Sequence, residues 1–443
     1  MKDIISAVKK YRSLIFDAER YIWNNPETGY KEFKTAAYLE EQFRSLGYEL
    51  TKADGITGFY TVVDTGKEGP EILVFGELDS VICEAHPEAD KNTGAVHSCG
   101  HNAQCAALLG IAAALTDKNL TEGLCGRIRL CAVPAEELLE IGYRTQLKAD
   151  GKIKYFGGKS EFLYRGLFDG VDMALMIHTS TNNTIIRGNN GCIAKRIIYK
   201  GKAAHAGGSP QQGINALYAA NCGINAVNAI RETFPDDDYI RFHPIVTAGG
   251  NMVNAIPNEV ILESYVRGKS YEAMLRENAK VNRALCGGAI SIGANVEIID
   301  IPGYSPLCND LGMMRIAKRA FEIAFPGENI NYDEIYYSRG STDLGDLSCI
   351  MPVVHPYCAG QSGTSHGSDF YITDPESACV KSAIWQLGIL KLLLCDGGAE
   401  AKRIISEFKP MFDSKEDYFR YVDEISRDGD RIIYHDDGKI EVI

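Results

Sequence analysis

The fold of this chain is decided by residues 71 to 110, which read EILVFGELDSVICEAHPEADKNTGAVHSCGHNAQCAALLG. Ile72 to Phe75 form a short apolar run closed by a glycine, a pattern that is typical of a buried strand. Asp79 follows at the end of this predicted strand. After an acidic loop, the small apolar residues from Ala103 to Leu115 predict a helix. The stretch therefore predicts a strand and a helix joined by a polar loop.

Two potential metal ligands, Cys99 and His101, stand at the start of that helix. Residues two apart share one side of an extended or turning segment, and Gly100 permits such a turn. A free cysteine is most often a small buried hydrophobe, and the chain has 13 cysteines, so Cys99 alone is weak evidence. Because Asp79, Cys99 and His101 converge on one loop, however, the loop predicts a metal site.

Polar side chains also follow two further predicted strands. Glu136 and Glu137 come soon after the apolar run Ile128 to Ala132, and His178 closes the run Met173 to Ile177. Adjacent carboxylates are costly to hold together unless a cation or a proton separates their charges, although an acidic first helical turn would also explain them. His178 alone could be a core residue bonded to backbone. Ligands of open α/β sheets gather beyond the carboxyl ends of the strands, so we expect all three strand ends to share one site.

The order of predicted elements divides the chain into two domains. Strands and helices alternate through Val133, which predicts an α/β domain with a mostly parallel sheet covered by helices. Cys192 to Tyr304 has the order βαββαβ instead, which predicts an inserted α+β unit of the ferredoxin-like kind. We therefore expect a discontinuous catalytic domain, residues 1–190 and 306–443, interrupted by an inserted domain, residues 191–305.

Composition restricts the class of protein. The net charge of -13 is spread without a basic block, which argues against nucleic acid and anionic membranes as partners. The N-terminus lacks the pattern of a signal peptide, and no apolar stretch is expected to reach transmembrane length. Scattered cysteines in an odd number fit reduced thiols. We expect a cytoplasmic protein with a small-molecule substrate.

A polar segment, residues 338–370, returns the chain to the first domain. It reads SRGSTDLGDLSCIMPVVHPYCAGQSGTSHGSDF and carries Asp343, Asp346, His355 and His366 beside an apolar run. So many acidic and histidine side chains beside an apolar run are unusual for an ordinary loop and indicate a functional one. His366 is the candidate fifth metal ligand.

Taken together, these motifs resemble the metallopeptidase 20 family, in its amidohydrolase branch, and within it the aminobenzoyl-glutamate hydrolase and dipeptidase-like members. The resemblance covers residues 25 to 370 in family order. It rests on NPETGYKE, GELDS, HSCGHN, VPAEE, the strand-end His178, KAAHAGGSP, GGNMVNAIP, GSTDLGD with HPY, and SHGSDF. The resemblance implies a dimetal catalytic domain, an inserted lid domain that often forms a homodimer, and hydrolysis of an amide next to a carboxylate-bearing residue.

The resemblance also assigns roles in the catalytic domain. It implies Glu136 as the base, Asp79 as an orienting acid, and five metal ligands: Cys99, His101, Glu137, His178 and His366. Such a mixture of thiolate, imidazole and carboxylate suits Zn, Mn, Co or Ni. We expect two divalent ions, with Zn or Mn ahead of Co and Ni.

Three residues of the lid match family motifs and are expected to bind the substrate. We expect Arg267 and Asn254 to hold its carboxylate, because a guanidinium offers the planar donors that such a group prefers. His205 is expected to donate to the developing oxyanion, from the same chain or from the partner subunit of a dimer.

The predicted function is metal-dependent hydrolysis of an amide bond in an N-acyl amino acid, a dipeptide or an aminobenzoyl-glutamate type of substrate. Two departures from the family pattern affect the substrate pocket: GELDS lacks the usual Ala-Leu-Pro after Asp79, and Glu88 to Val96 adds an acidic loop. The alternative is a catalytically silent relative that binds metal or an amino-acid derivative. Glu136 beside Glu137 argues against silence, because a pure binder needs no proton shuttle.

Overall fold

The computed structural model describes all 443 residues, which form two compact units. The first unit comprises Met1–Gly188, Leu307–Ser338 and Asp343–Lys415. The second unit comprises Asn189–Pro306, Arg339–Thr342 and Glu416–Ile443.

The strands are β1 (Thr51–Lys52), β2 (Phe59–Asp64), β3 (Glu71–Glu77), β4 (Val81–Ile82), β5 (Ala95–Val96), β6 (Arg127–Val133), β7 (Met173–Leu175), β8 (His178–Ser180), β9 (Thr184–Asn189), β10 (Gly191–Lys200), β11 (Arg241–Phe242), β12 (Ile245–Ala248), β13 (Glu259–Gly268), β14 (Asn295–Tyr304), β15 (Leu307–Cys308), β16 (Asn331–Ser338), β17 (Val353–Val354), β18 (Tyr357–Ala359), β19 (Gln361–Ser362), β20 (Tyr371–Ile372), β21 (Ile432–Tyr434) and β22 (Ile440–Val442). The α-helices are α1 (Lys2–Lys10), α2 (Arg12–Trp23), α3 (Phe33–Ser45), α4 (His101–Leu115), α5 (Ile141–Ala149), α6 (Gly158–Tyr164), α7 (Ala216–Ile230), α8 (Tyr271–Ile290), α9 (Leu311–Ala324), α10 (Leu344–Ser348), α11 (Ser382–Leu394), α12 (Ala399–Glu407) and α13 (Lys415–Asp423).

The first unit is built on a six-stranded sheet in the order β1-β2-β6-β3-β7-β17. The four strands from β6 to β17 run parallel, as predicted, whereas β1 and β2 are antiparallel additions at one edge. Every residue of β3 is buried, which agrees with its continuous apolar sequence. Helix α4 is likewise buried at every residue, since its small apolar side chains allow neighbours to pack on all sides.

The parallel pairing fixes where the polar strand ends meet. Glu77, the last residue of β3, lies opposite Val133, the last residue of β6. Asp79 and Glu136 therefore emerge at the same edge of the sheet. His178 begins β8, which belongs to a separate small sheet in the order β15-β9-β18-β8.

The second unit is an antiparallel sheet with two helices. Its strand order is β11-β13-β10-β14, and β12 pairs with β13 beside β11. The chain order β10, α7, β11–β12, β13, α8, β14 follows the predicted βαββαβ pattern. Side chains of β13 alternate between buried and partly exposed, which is expected when helices cover only one face of a sheet. This unit has its own apolar core.

The C-terminal tail differs from the prediction that residues 306–443 all return to the first unit. Residues 416–443 belong to the second unit. Arg427 and Asp300 exchange two backbone hydrogen bonds, of 2.7 and 3.1 Å, and the Arg431 N–H donates to the Val296 carbonyl at 2.9 Å. The tail thus pairs with the free edge of β14 and satisfies backbone groups that would otherwise be open to another chain.

One helical segment, Glu376–Leu394, is long and apolar enough to cross a membrane, contrary to our expectation from the sequence. It consists of a π-helical turn, Glu376–Lys381, that runs into α11. However, 83% of its apolar window is buried inside the protein, as in the core helix of a globular domain.

Candidate metal centre

Cys99 and His101 are placed by a tight turn at the start of α4. Gly100 has a φ of 89°, and a Cβ atom at this position would lie 2.2 Å from Thr179 Oγ1, so the turn requires glycine. The Sγ atom of Cys99 lies 3.4 Å from Nε2 of His178. The strand end at His178 and the start of α4 therefore meet, as the sequence predicts.

The His101 ring is oriented by Asp79. Its Nδ1 lies 2.9 Å from the Asp79 backbone carbonyl, and because a carbonyl only accepts, Nδ1 must carry the proton. Nε2 is then the nitrogen that faces the site, and it can bind a metal once it has lost its own proton. The Asp79 carboxylate also accepts a hydrogen bond from the Glu137 N–H at 2.7 Å. Asp79 therefore orients both the ring of His101 and the backbone of Glu137.

The five predicted ligands form two groups that share one atom. Each group brings three ligand atoms within 4.8 Å of one another, and the sulfur of Cys99 belongs to both. The groups are Cys99, His101 and His178, and Cys99, Glu137 and His366. This arrangement could hold two ions with the thiolate between them.

The donor set fits a cation because several of its buried atoms are directed at one another within the cluster, with Glu77 Oε2 3.3 Å from His101 Nε2 and Glu137 Oε1 3.0 Å from His366 Nε2. A buried carboxylate is costly unless a cation compensates its charge.

The electrostatics of the cluster favour a thiolate. Burial and the Glu137 carboxylate oppose ionisation of Cys99, but His101, His178 and His366 outweigh them and lower its pKa to about 6. His366 Nε2 lies 3.0 Å from Glu137 Oε1, and this carboxylate raises the pKa of His366. A thiolate is the form that binds metal.

Glu136 lies beside the ligands without joining either group that contains Cys99. It is buried, and its Oε2 atom is 3.9 Å from His101 Nε2. Burial, followed by the charges of Glu77 and Glu137, raises its pKa well above the ordinary value for glutamate. A carboxyl group of this kind is suited to accept and release a proton.

A buried charge network that was not predicted from the sequence lies next to the cluster. Lys159 lies between Glu77, at 2.5 Å, and Asp343, and all three side chains are buried. The second Glu77 oxygen is 3.3 Å from His101 Nε2. Glu77 and Asp79 share the motif GELDS and point to the same side of an extended segment, so that spacing was a usable signal. Lys159 gave none.

Glu77 also brings a third group of possible ligand atoms together, which consists of Glu77, His101 and Glu136. The ammonium group of Lys159 already balances the Glu77 carboxylate in this group. A cation held there would therefore face a neighbouring positive charge, which favours the two groups that share Cys99.

His355 is near the site but in none of the ligand groups. Its ring centroid is 6.0 Å from that of His178, and burial lowers its pKa to about 3. The ring is therefore neutral at physiological pH.

The start of the added acidic loop and His86 just before it contact residues near the segment that carries His366. Trp23 Nε1 donates to Glu88 at 2.6 Å, and His86 Nε2 lies 2.9 Å from the Phe370 carbonyl. The rings of Trp23 and Phe370 are stacked at 6.4 Å. His366 itself is 49% exposed and has a positive φ of 63°, so its position depends on such anchoring.

The three substrate-binding candidates lie in the second unit. Nδ1 of His205 accepts N–H groups from Gly207 and Gly208 at 3.1 and 2.9 Å. The backbone of Asn254 is next to it, since its carbonyl accepts the Ala206 N–H at 3.0 Å. Arg267 Nη1 donates to Ser341 Oγ at 3.1 Å.

Within one chain, the length of β13 keeps Arg267 and Asn254 too far apart to hold the same carboxylate. Arg267 is near one end of β13, and Asn254 precedes the other end at Glu259. Eight residues of strand alone separate Arg267 from Glu259 by roughly 26 Å. Before β13, the Gly201 N–H donates to the Asn258 carbonyl and the Ile256 N–H donates to the Ala204 carbonyl. These bonds show that the paired segment continues beyond Glu259 towards Asn254, away from Arg267.

Comparison with known proteins yields matches over most of the chain. The sequence profile described as peptidase family M20/M25/M40 matches residues 73–389. Xaa-Arg dipeptidase of Homo sapiens is 29% identical over 368 residues, which cover 79% of this chain and 78% of the relative. One of the subunits of p-aminobenzoyl-glutamate hydrolase from Escherichia coli is 26% identical over 326 residues, which cover 61% of this chain and 70% of the relative.

The fold also matches solved structures. A dinuclear metal-binding peptidase of Bacillus subtilis superimposes with a TM-score of 0.63 and 20% sequence identity. The match covers 87% of this chain and 99% of that protein. At this identity the likeness shows a common fold.

Proposed function

Because the chain belongs to peptidase family M20/M25/M40, and is therefore a hydrolase of amide bonds, we propose that it cleaves a small carboxylate-bearing substrate with the help of two divalent metal ions. The substrate class is an N-acyl amino acid, a dipeptide or an aminobenzoyl-glutamate type of compound. The observation that carries the proposal is the Cys99 sulfur, which two separate groups of ligand atoms share beside the buried Glu136.

The names of two relatives support this substrate class. One is an Xaa-Arg dipeptidase and the other is part of p-aminobenzoyl-glutamate hydrolase. Both names describe compounds in which an amide nitrogen belongs to an amino acid with a free carboxylate. A panel of substrates that varies the acyl group and the amino acid separately identifies the preferred member of the class.

The side chains at this edge of the sheet have different roles in the proposed reaction. Bound divalent ions would supply an acidified water molecule and a polarised carbonyl, with Zn and Mn ahead of Co and Ni for this donor set. Glu136 takes the proton of that water and passes it to the leaving amine. Asp79 keeps the tautomer of His101 and the backbone of Glu137 in place through its two hydrogen bonds.

For recognition of the substrate we propose Arg267 as the carboxylate-binding residue and His205, with Asn254, as a second group that donates to the oxyanion. Arg267 near one end of β13 and Asn254 before its other end support a site shared by two protomers, in which His205 and Asn254 come from the partner. Arg267→Ala should raise KM for substrates with a free carboxylate and cost about 1.5–3 kcal/mol, the range for hydrogen bonds to charged groups. An equal effect on amidated substrates would contradict this assignment.

We propose that the chain forms a homodimer through the second unit. Strand β12 lies at the edge of that sheet, and its residues Ile245 and Val246 are 62% and 52% exposed. An exposed apolar edge strand favours pairing with another chain. Val246→Asp should convert the dimer to a monomer in light scattering after size-exclusion chromatography; a wild-type monomer would contradict the proposal.

The remaining alternative is a catalytically silent protein that binds metal or an amino-acid derivative. To separate the two, the metal-loaded protein is assayed against N-acyl amino acids, dipeptides and p-aminobenzoyl-glutamate, with Glu136→Gln as the matched control. Turnover by the wild type that disappears in Glu136→Gln supports the enzyme. Binding without turnover in both proteins supports the silent alternative.

A further inference from the structure

The segment NPETGYKE, residues 25–32, belongs to the motifs of the sequence but takes no part in the chemistry described so far. Its side chains surround residues 134–137, which we call the glutamate turn because it carries Glu136 and Glu137. We propose that Glu32, together with Arg144, is a positioning residue that holds the glutamate turn in its active conformation. The inference rests on the proposed function for what the turn does.

The glutamate turn has an unusual backbone. Ala135 has a φ of 56°, in the left-handed region, although it is not glycine. Because Ala135 precedes both glutamates, this angle sets the directions of Glu136 and Glu137. A residue with a Cβ keeps such a conformation only where its surroundings impose it.

Glu32 provides one of these restraints. Its Oε1 atom accepts the N–H of Ala135 at 2.8 Å, and its Oε2 atom accepts the hydroxyl of Thr57 at 2.6 Å. The side chain is fully buried. Neither of these hydrogen bonds goes to a metal ligand, and the one to Ala135 connects Glu32 directly to the turn.

Arg144 provides the other restraint from the opposite side. Its guanidinium donates to the Ala135 carbonyl at 3.3 Å, to the Phe156 carbonyl at 2.6 Å and also to the Glu137 carbonyl. One buried cation thus ties both ends of the glutamate pair to the neighbouring loop. A planar guanidinium can satisfy several carbonyls at once, which an ammonium cannot do with the same geometry.

Close packing removes the space in which the turn could relax. A Cβ atom on Gly29, within the motif, would lie 2.3 Å from Arg144 Nη2 and 3.0 Å from the Cα of Ala135. A Cβ atom on Gly158 would lie 1.7 Å from the Pro134 carbonyl oxygen. The neighbouring residues of the motif contribute too, since Thr28 and Lys31 both donate to Glu140 at 2.6 Å.

The first experiment separates positioning from general stability. Glu32→Ala removes the acceptor, whereas Glu32→Gln keeps an oxygen for the Ala135 N–H. The matched control is Glu71→Ala, which also removes a buried carboxylate, but one that bonds Arg127 and Arg129 at the far end of β3. The readouts are kcat and KM on the best substrate of the panel, metal content, and Tm.

We expect Glu32→Ala to lower kcat by about 10- to 100-fold, the range seen when outer partners of metal ligands are removed, with KM changed by less than about threefold. Glu32→Gln should restore kcat to within about threefold of the wild type. Glu71→Ala should lower Tm and leave kcat unchanged. A normal kcat in Glu32→Ala, or an equal loss in Glu32→Gln, would overturn the proposal.

A second variant tests the backbone directly. Glycine adopts positive φ values at little cost, so Glu32→Ala combined with Ala135→Gly should recover part of the lost kcat, by at least about threefold. No recovery would mean that Glu32 acts otherwise than through the conformation of Ala135, and would overturn this mechanism.

If the wild type turns over no substrate of the panel, the proposed function fails, and Co²⁺ affinity becomes the readout for positioning. Co²⁺ is titrated into the wild type and Glu32→Ala, and the thiolate-to-cobalt absorption of Cys99 is followed. About tenfold weaker Co²⁺ binding in Glu32→Ala would support positioning of Glu137. Equal affinity would overturn it.

Discussion

Two buried clusters of charged side chains, one in each unit, differ in the groups that face their carboxylates. In the second unit, Lys195 donates to Asn278 at 2.8 Å and to Asp300. Asp300 also accepts hydrogen bonds from Asn278 and Asn282, both at 2.9 Å. In the first unit, Glu77 Oε2 and Glu137 Oε1 of the ligand cluster face the imidazole rings of His101 and His366, at 3.3 and 3.0 Å.

The difference indicates which cluster is structural and which is functional. Lys195 and Asp300 neutralise each other, and the amide N–H groups of Asn278 and Asn282 donate to the carboxylate, so this charge pair needs no ion from solution. The ligand cluster brings a thiol, carboxylates and imidazoles within 4.8 Å of one another in groups of three, which is a donor set that metal cations bind.

The largest expected effect concerns the proton carrier of the ligand cluster. Glu136→Gln should reduce kcat by about 10² to 10⁴, the range for loss of a general acid–base group, because the amide cannot take a proton. Metal content, measured by inductively coupled plasma mass spectrometry, should stay at the wild-type value. Near-normal turnover would move the base elsewhere, with Asp79 as the next candidate.

For the second cluster we expect a large loss of stability without a direct effect on catalysis. Lys195→Met leaves Asp300 buried without its partner and should lower the free energy of unfolding by about 3–5 kcal/mol, measured in urea. The control Lys195→Met/Asp300→Leu replaces both partners by apolar groups and should recover most of this loss. A double variant as unstable as the single one would show that the pair is more than a neutral structural element.

Removal of metal should affect only the ligand cluster. With free metal at about 100 times its Kd, the bound state gains about 2.7 kcal/mol, so chelation should lower the Tm of the wild type. In Lys195→Met, chelation should cause the same further decrease, because the two clusters share no residue. An unchanged Tm after chelation of the wild type would argue against a metal requirement.

The smallest effect is a pH dependence of the second cluster. Burial opposes ionisation of Asp300, but Lys195 and the neighbouring amides outweigh it and lower the pKa of Asp300 below its usual value of 3.8. The folded state therefore holds its proton less tightly than the unfolded state, so this group stabilises the protein above about pH 4. The contribution is lost as the pH falls through the folded pKa.

The check is a comparison of unfolding free energies between pH 5 and pH 3. Stability should fall less steeply with acid in Asp300→Asn than in the wild type. Parallel curves would show that Asp300 contributes nothing to acid sensitivity.

Much of the ligand cluster could be predicted from the sequence because its residues follow shortly after strands of a parallel sheet or begin the helix that comes after one. Cys99, His178 and Glu137 lie in separate segments, yet the pattern of strands brings their ends to one region. Lys159 could not be predicted in this way, since Asp343 is 184 residues away and nothing local marks a buried lysine.

The placement of the C-terminal tail could not be predicted, because the tail pairs with β14 through Arg427 and Asp300, a contact that no local pattern reveals. Arg267 and Asn254 stand on either side of the predicted strand Val260 to Val266, so the length of that strand already indicates that they lie far apart within one chain.

The most direct test of the account is the metal content of three proteins: the wild type, Cys99→Ala and His366→Ala. Because the Cys99 sulfur belongs to both ligand groups and His366 to one, we predict two ions per chain in the wild type, loss of both in Cys99→Ala, and loss of one in His366→Ala. Elemental analysis after removal of free metal gives these numbers. Two ions retained in Cys99→Ala, or none in the wild type after metal loading, would contradict the shared centre.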